Sequence, residues 1–165
     1  MALKEFYRFI DKICELARIP HPQSLYERAD IEVDEVKFTL VDASGKTGRC
    51  MHVYCDFGPL PNGPDRQTVC YRLLDLNLEC FANREPCFSI DTTSNHVVLM
   101  DRVPFDAETA LDTLNMLARL AAQAKQWRSG YFLPSEEAAS GTTVKRGGSA
   151  AFFKNRSMVN VSAET

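Results

Sequence analysis

The 165-residue chain has no long unbroken apolar run. Between Met1 and Ile19 its apolar residues are interrupted by Lys4, Glu5, Arg8, Asp11, Lys12 and Glu15. A signal peptide or a membrane span would need a continuous apolar core there, so neither is expected. The chain also lacks an excess of positive charge: 19 basic and 22 acidic side chains leave a formal charge of −3. That balance gives no electrostatic footprint for a phosphate backbone. Tyr71-Arg72 and Trp127-Arg128 are isolated pairs on helices, and the basic–aromatic interleaving that tracks nucleic acid is missing. No phosphate loop, no Gly-x-Gly-x-x-Gly turn and no Gly-x-Ser-x-Gly elbow occurs. What is present in quantity is apolar character, 45% of residues, enough for one core without metal or disulfide support.

Six cysteines stand at positions 14, 50, 55, 70, 80 and 87. Their spacing shows no paired metal-binding element, and a chain of this length does not need a disulfide framework. They read as free, mostly buried thiols in a reducing, cytoplasmic compartment. The one suggestive cluster is Cys50-x-His52-x-x-Cys55. On a strand Cys50 and His52 share a face while Cys55 points to the other, so the three do not converge on a metal. No catalytic residue, cofactor-binding residue, metal ligand or cofactor is assigned, and the chain is not expected to be an enzyme. An acidic cluster of Glu27, Asp30, Glu32, Asp34 and Glu35 reads as solvated surface, with contact to a basic partner segment as the alternative.

Hydrophobic periodicity orders the chain. Leu3, Phe6, Tyr7, Ile10, Ile13, Cys14 and Ala17 recur at steps of three and four, a helix ended by Pro20-His21-Pro22. A strand at Ile31–Val33 and one carrying Val36, Phe38 and Leu40 follow, with Asp34-Glu35 as a tight turn between them. Met51, Val53, Cys55 and Phe57 alternate as a third strand, and prolines with Asn62-Gly63 make the next stretch a loop. A second helix from about Asp65 to Ala82 places Val69, Leu73, Leu76 and Cys80 on one stripe, widened by Leu74, Leu78 and Phe81. Two short strands, Cys87–Ile90 and His96–Arg102, precede a last helix with Asp106 as its N-cap and Arg128-Ser129-Gly130 at its end. The fold class is therefore α+β: helix, three strands, helix, two strands, helix, with an antiparallel twisted sheet packed by helices.

Residues 1–133 form this domain, and 134–165 read as a flexible C-terminal tail rich in Ser, Gly, Ala and Thr. Two apolar clusters in the tail, Phe152-Phe153 and Met158-Val159 with Val161, leave docking on the body or on a partner as the alternative.

With the elements ordered, the stretch from Ile31 to Phe105 resembles the class I type III secretion chaperones, which share the Tir-chaperone fold. Ile31-Glu32-Val33-Asp34-Glu35-Val36 is similar to the family's strand–turn–strand entry, and Phe57-Gly58-Pro59-Leu60-Pro61 to the end of its third strand. Leu73-Leu74-Asp75-Leu76-Asn77-Leu78 resembles its leucine-leucine-x-x-asparagine-leucine helix. Arg102-Val103-Pro104-Phe105-Asp106 matches the step into its last helix. The likeness extends over roughly residues 3 to 130; the sequence after Gly130 departs from the family pattern.

The resemblance implies a cytoplasmic homodimer that uses no ATP and holds the N-terminal segment of a secreted effector in extended form until export. No nucleic acid or membrane insertion is expected. The dimer interface is assigned to Val69, Leu73, Leu76, Cys80 and Phe81, from the breadth of the second helix. Client contacts are assigned to Leu3, Phe6 and Ile10 on the first helix. Val98 and Met100, which face away from Val97 and Leu99, are assigned to the same role. A partner-binding or regulatory adaptor domain unrelated to secretion is the alternative.

Overall fold

In the computed structural model, which describes residues 2–45, 48–83 and 86–133, eight main elements follow the order read from the sequence. They are α1 (Ala2–Ala17), β1 (Ala29–Val33), β2 (Val36–Asp42), β3 (Cys50–Pro59), α2 (Asp65–Asn83), β4 (Cys87–Asp91), β5 (His96–Pro104) and α3 (Ala110–Gly130). Short 3-10 turns cover Pro22–Leu25 and Ala107–Thr109. The tail assigned to 134–165 lies outside the described residues.

The five strands pair antiparallel in the spatial order β1-β2-β3-β5-β4. Alternation sorts their side chains onto two faces. Ile31, Phe38, Cys55, Leu99 and Phe88 stand in register across all five strands, and all are buried. Phe6, Phe9, Ile10 and Ile13 of α1 and Leu117, Ala121, Ala124 and Trp127 of α3 join the same core, as do Val69, Leu73 and Leu76 of α2. Phe9 lay outside the periodic set read for α1, yet its ring meets Phe105 at 5.2 Å, beside the Phe6–Phe105 contact at 5.4 Å. Phe105, in the step before α3, thus ties α1 to the start of the last helix.

Two local devices fix the sheet. Asp34 and Glu35 form a two-residue hairpin with φ of 50° and 65°, the twist that joins antiparallel strands without splaying them. At the far end of β3 the register slips between Asp56 and Gly58, which makes Phe57 the extra residue of a bulge. Gly58 has φ of 109°, a backbone conformation that favours glycine, and a Cβ there would crowd Arg128 Nε at 3.1 Å. Arg128 donates from Nε to the Phe57 carbonyl at 3.0 Å and from Nη2 to that of Asp56 at 3.2 Å, pinning α3 to the bulge.

The entry to the last helix follows the sequence reading. Asp106 caps a turn in which its backbone N–H donates to Thr109 Oγ1 at 2.9 Å. The exit differs: Gly130 stays helical and Tyr131 takes the left-handed position, with φ of 52° and its N–H bonded to the Trp127 carbonyl at 2.7 Å. Aromatic packing offsets the missing glycine. Tyr131 meets Trp127 edge-on at 5.2 Å, and Phe132 packs against Trp127, Phe57 and Phe88.

Candidate functional site

An open sheet presents unpaired backbone groups along both edge strands, and each edge must be covered or left available. At β4 a helix side chain covers it. The Phe88 N–H donates to Asn77 Oδ1 at 2.6 Å, and Asn77 Nδ2 donates to the Phe88 carbonyl at 2.9 Å. One amide therefore stands in for the residue of a neighbouring strand. Its position follows from the helix pattern: Leu73, Leu76 and Cys80 are buried, and Asn77, one residue past Leu76, falls on the flank toward β4. The Leu-Leu-x-x-Asn-Leu signature is an edge clamp with its own anchor.

The β1 edge is arranged otherwise. In a two-residue hairpin the flanking residues Val33 and Val36 exchange backbone bonds, and the alternate pairs Ile31–Phe38 and Ala29–Leu40 repeat that pattern. Asp30 and Glu32 consequently turn their N–H and C=O away from β2. Among the described residues nothing bonds to these outward groups. Near the start of this strand α1 offers a mixed surface: Tyr7 stacks on Tyr26 at 4.3 Å, and the Tyr26 hydroxyl donates to Asp11 at 2.7 Å. The five carboxylates of the acidic cluster are all exposed. Asp30 meets Arg28 at 2.9 Å and Asp34 meets Lys125 at 3.8 Å.

The second helix has two apolar sides. Val69, Leu73, Leu76 and Cys80 are at most 4% exposed within the protomer, so they build its own core. Of the residues assigned to a dimer interface only Phe81 is exposed, at 84%. Tyr71, Leu74 and Leu78 accompany it at 64%, 63% and 71%. Steps of three and four make these four one outward stripe. On α1, Phe6 and Ile10 are wholly buried under the sheet and cannot touch a partner directly, whereas Leu3 is exposed. Their burial follows from the Phe6–Phe105 contact and the shared core.

Val98 and Met100 do face away from Val97 and Leu99, half-buried on the sheet face that the core leaves free. They border a shallow groove of about 990 Å³ that also includes Tyr54, Asp56 and His96. His96 Nδ1 lies 2.9 Å from Asp56 Oδ1. Cys50 and His52 lie on this side too, while Cys55 is buried in the core, where loss of solvent pushes its thiol well above the ordinary value. Cys50 Sγ donates to the Ala43 carbonyl and accepts from Arg102 Nε, both at 3.0 Å. These bonds hold a strand end in place. Among the described residues no group of three His, Cys, Asp or Glu side chains is placed to hold a metal ion, and no helix is long and apolar enough to cross a membrane.

Residues 48–128 match the model of the Tir chaperone protein (CesT) family. Over this stretch, just under half of its length, the chain is similar to that family. The match covers the bulge at Gly58, the Asn77 clamp, the β4–β5 pair and α3 through Arg128, so the parts with the most specific geometry lie inside it. Tir chaperones are type III secretion chaperones, and the α+β arrangement of three helices on a five-stranded antiparallel sheet agrees with that fold. No curated protein matches the chain.

Sequence reasoning missed Asn77 as a clamp and Arg128 as a bulge anchor. A signal existed for the first, since an amide among helical leucines has to find hydrogen-bond partners. None existed for the second, because the carbonyls it binds are 71 or more residues away in sequence.

Proposed function

We propose that this chain is a Tir-type secretion chaperone, a cytoplasmic homodimer that holds the N-terminal segment of a secreted effector in extended form, without ATP. The observation that carries the reading is the inequality of the two sheet edges. Phe88 of β4 is bonded to Asn77, whereas β1 turns the backbone groups of Asp30 and Glu32 outward. An extended client can add a strand there, gaining affinity from main-chain bonds and selectivity from alternate side chains. Leu3 on α1 stands ready for apolar client side chains, and Val98 and Met100 extend the apolar surface on the free sheet face.

The homodimer is supported by the outward stripe Tyr71, Leu74, Leu78 and Phe81, since isologous pairing would remove the large exposed side chains of one helix from water. Two copies offer two open edges, which suits a chain that must order many residues against its conformational entropy.

Hydrogen exchange on the full chain, alone and in the native client complex, tests the proposal. Added protection is expected at Asp30–Val33, with β4 unchanged. Protection confined to β4, or to the sequence beyond Gly130, would overturn this binding mode.

A further inference from the structure

We infer that the free face of the sheet selects its client segment by charge order, taking an extended stretch with an acidic, two apolar and a basic residue at alternate positions. The inference rests on the chaperone reading for the occupant's being a client, and on the face itself for the chemistry. Strand register lays this face out in rows. His52 stands opposite Arg102, Tyr54 opposite Met100, and Asp56 opposite Val98, while the pair His96 and Asp91 closes the far end. The groove of about 990 Å³ and a smaller hollow of about 400 Å³ share Tyr54 and Met100. They form one trough with an apolar middle of Tyr54, Met100 and Val98.

The two ends of the trough differ in charge. Arg102 is exposed, donates from Nε to Cys50 Sγ at 3.0 Å and, among the described residues, has no carboxylate partner. Asp101 borders this end too, but alternation sets its side chain on the face of its partner Val53, away from the apolar middle. At the other end Asp30 engages Arg28 at 2.9 Å, and Glu32 stands opposite Lys37. Asp56 and Asp91 have no lysine or arginine partner among the described residues. Asp56 lies 2.9 Å from His96 Nδ1, and Asp91 accepts from Ser94 and Thr93. From Arg102 to His96 the strand rises about 20 Å, at roughly 3.3 Å per residue. An extended occupant rises equally and points alternate side chains the same way. Laid along β5, it sets a carboxylate at Arg102, apolar side chains at Met100 and Val98, and a cation at Asp56 and Asp91. A second copy is a poorer occupant, because two grooves set face to face leave their floors unfilled, whereas one extended chain fills a single groove.

The probe is a capped synthetic peptide, Glu-Ser-Leu-Ser-Leu-Ser-Lys, titrated into the full chain with its Met and Val methyl groups labelled for NMR. Saturable shifts are expected at Met100 and Val98. Replacing the peptide's Glu by Lys should weaken binding several-fold, and high salt should narrow that gap. The preference between the two peptides should reverse in Arg102→Glu. It should vanish in Arg102→Gln, the milder variant that decides the matter if circular dichroism shows Arg102→Glu to be misfolded. Absence of shifts at Met100 and Val98, equal binding of the two peptides, or a preference that Arg102→Gln leaves intact would overturn the inference. So would shifts of the same methyls with protein concentration alone, which would place a second copy on the face. Protection of Asp30–Val33 in the native complex is read in a separate experiment. A peptide that fails here therefore leaves the chaperone reading standing, and a native complex without that protection leaves the charge preference of the face to be read from the peptides.

Discussion

The two edge strands of the sheet begin with the same problem and solve it differently. On β4 the outward N–H and C=O of Phe88 are both bonded by Asn77, held in place by the buried Leu73, Leu76 and Cys80. On β1 the corresponding groups of Asp30 and Glu32 face outward next to exposed carboxylates. Charged side chains discourage indiscriminate pairing at an open edge, whereas the clamp occupies the outward groups of one residue, Phe88. The difference teaches that availability here is selective: one edge is withdrawn by a helix, and the other is guarded but open.

Removing the clamp should have the largest effect. Asn77→Ala leaves both Phe88 groups without their partner, and a loss of about 2–3 kcal/mol is expected in urea unfolding at fixed protein concentration. Asn77→Asp keeps the acceptor for the Phe88 N–H but loses the donor to its carbonyl, so it should fall between wild type and Asn77→Ala. If Asn77→Ala unfolds like wild type, the β4 edge is not closed by this amide, and the contrast between the edges collapses.

The clamp also divides the two sides of α2. Leu76 and Leu78 are two residues apart, yet one is 2% exposed and the other 71%. Leu78→Asp should leave the protomer folded by circular dichroism while weakening the proposed dimer by roughly 2 kcal/mol or more, about thirtyfold in Kd. Light scattering across a dilution series reads that change. Leu76→Asp should instead lose helical signal, because it places a charge in the core. If Leu78→Asp keeps the dimer intact, the outward stripe has another use.

How much of this was legible in the sequence depends on how local each signal is. Element order follows from the periodicity of side chains a few residues apart, and the hairpin at Asp34-Glu35 and the cap at Asp106 are set within four residues. The sides of α2 were harder. An apolar stripe at Val69, Leu73, Leu76 and Cys80 and another at Tyr71, Leu74, Leu78 and Phe81 have similar character, and only the packing of β4 and the sheet decides which is inward. Phe6 and Ile10 were read correctly as one helix face, but whether that face meets the sheet or a partner is a tertiary question. The grip of Arg128 on the bulge is wholly non-local.

A smaller effect is expected at the open edge itself. The Glu32 N–H faces away from β2, so Glu32→Pro removes an outward donor without breaking the β1–β2 ladder. Stability should change by less than about 1 kcal/mol, since surface substitutions rarely do more. Client affinity should fall about tenfold, the loss of one or two main-chain bonds in an added strand. Phe88→Pro on the clamped edge is a poor control because it disturbs the core. Thr92→Lys, exposed in the turn after β4, is better and should leave client binding unchanged. Equal binding by wild type and Glu32→Pro in calorimetry would move the client away from β1.

The smallest expected effect is electrostatic, and it compares a carboxylate from each edge. Asp91 ends β4, where the Ser94 hydroxyl donates to it at 2.7 Å and the Thr93 N–H at 2.9 Å. Those bonds stabilise the charged form and hold its carboxyl below the usual value. Asp30 on β1 is pulled both ways. Partial burial is the largest influence and raises it, but bonds from Thr39 and Arg28 together outweigh burial and leave it lowered. For either group the folded value lies below the unfolded one, near 3.9. Their stabilisation is therefore fully present above that value and is lost as pH falls through the folded value. Both side chains are substantially exposed, so salt screens the Arg28 contribution to Asp30, while the neutral donors to Asp91 are less sensitive. Carboxyl carbon titration by NMR should place both midpoints below the unfolded reference, and added salt should move Asp30 upward more than Asp91. Asp91→Asn should remove only the part of the acid-induced stability loss that persists at high salt. If salt moves the two midpoints equally, the edges do not differ in how they hold their charge, although the clamp at Asn77 would still distinguish them.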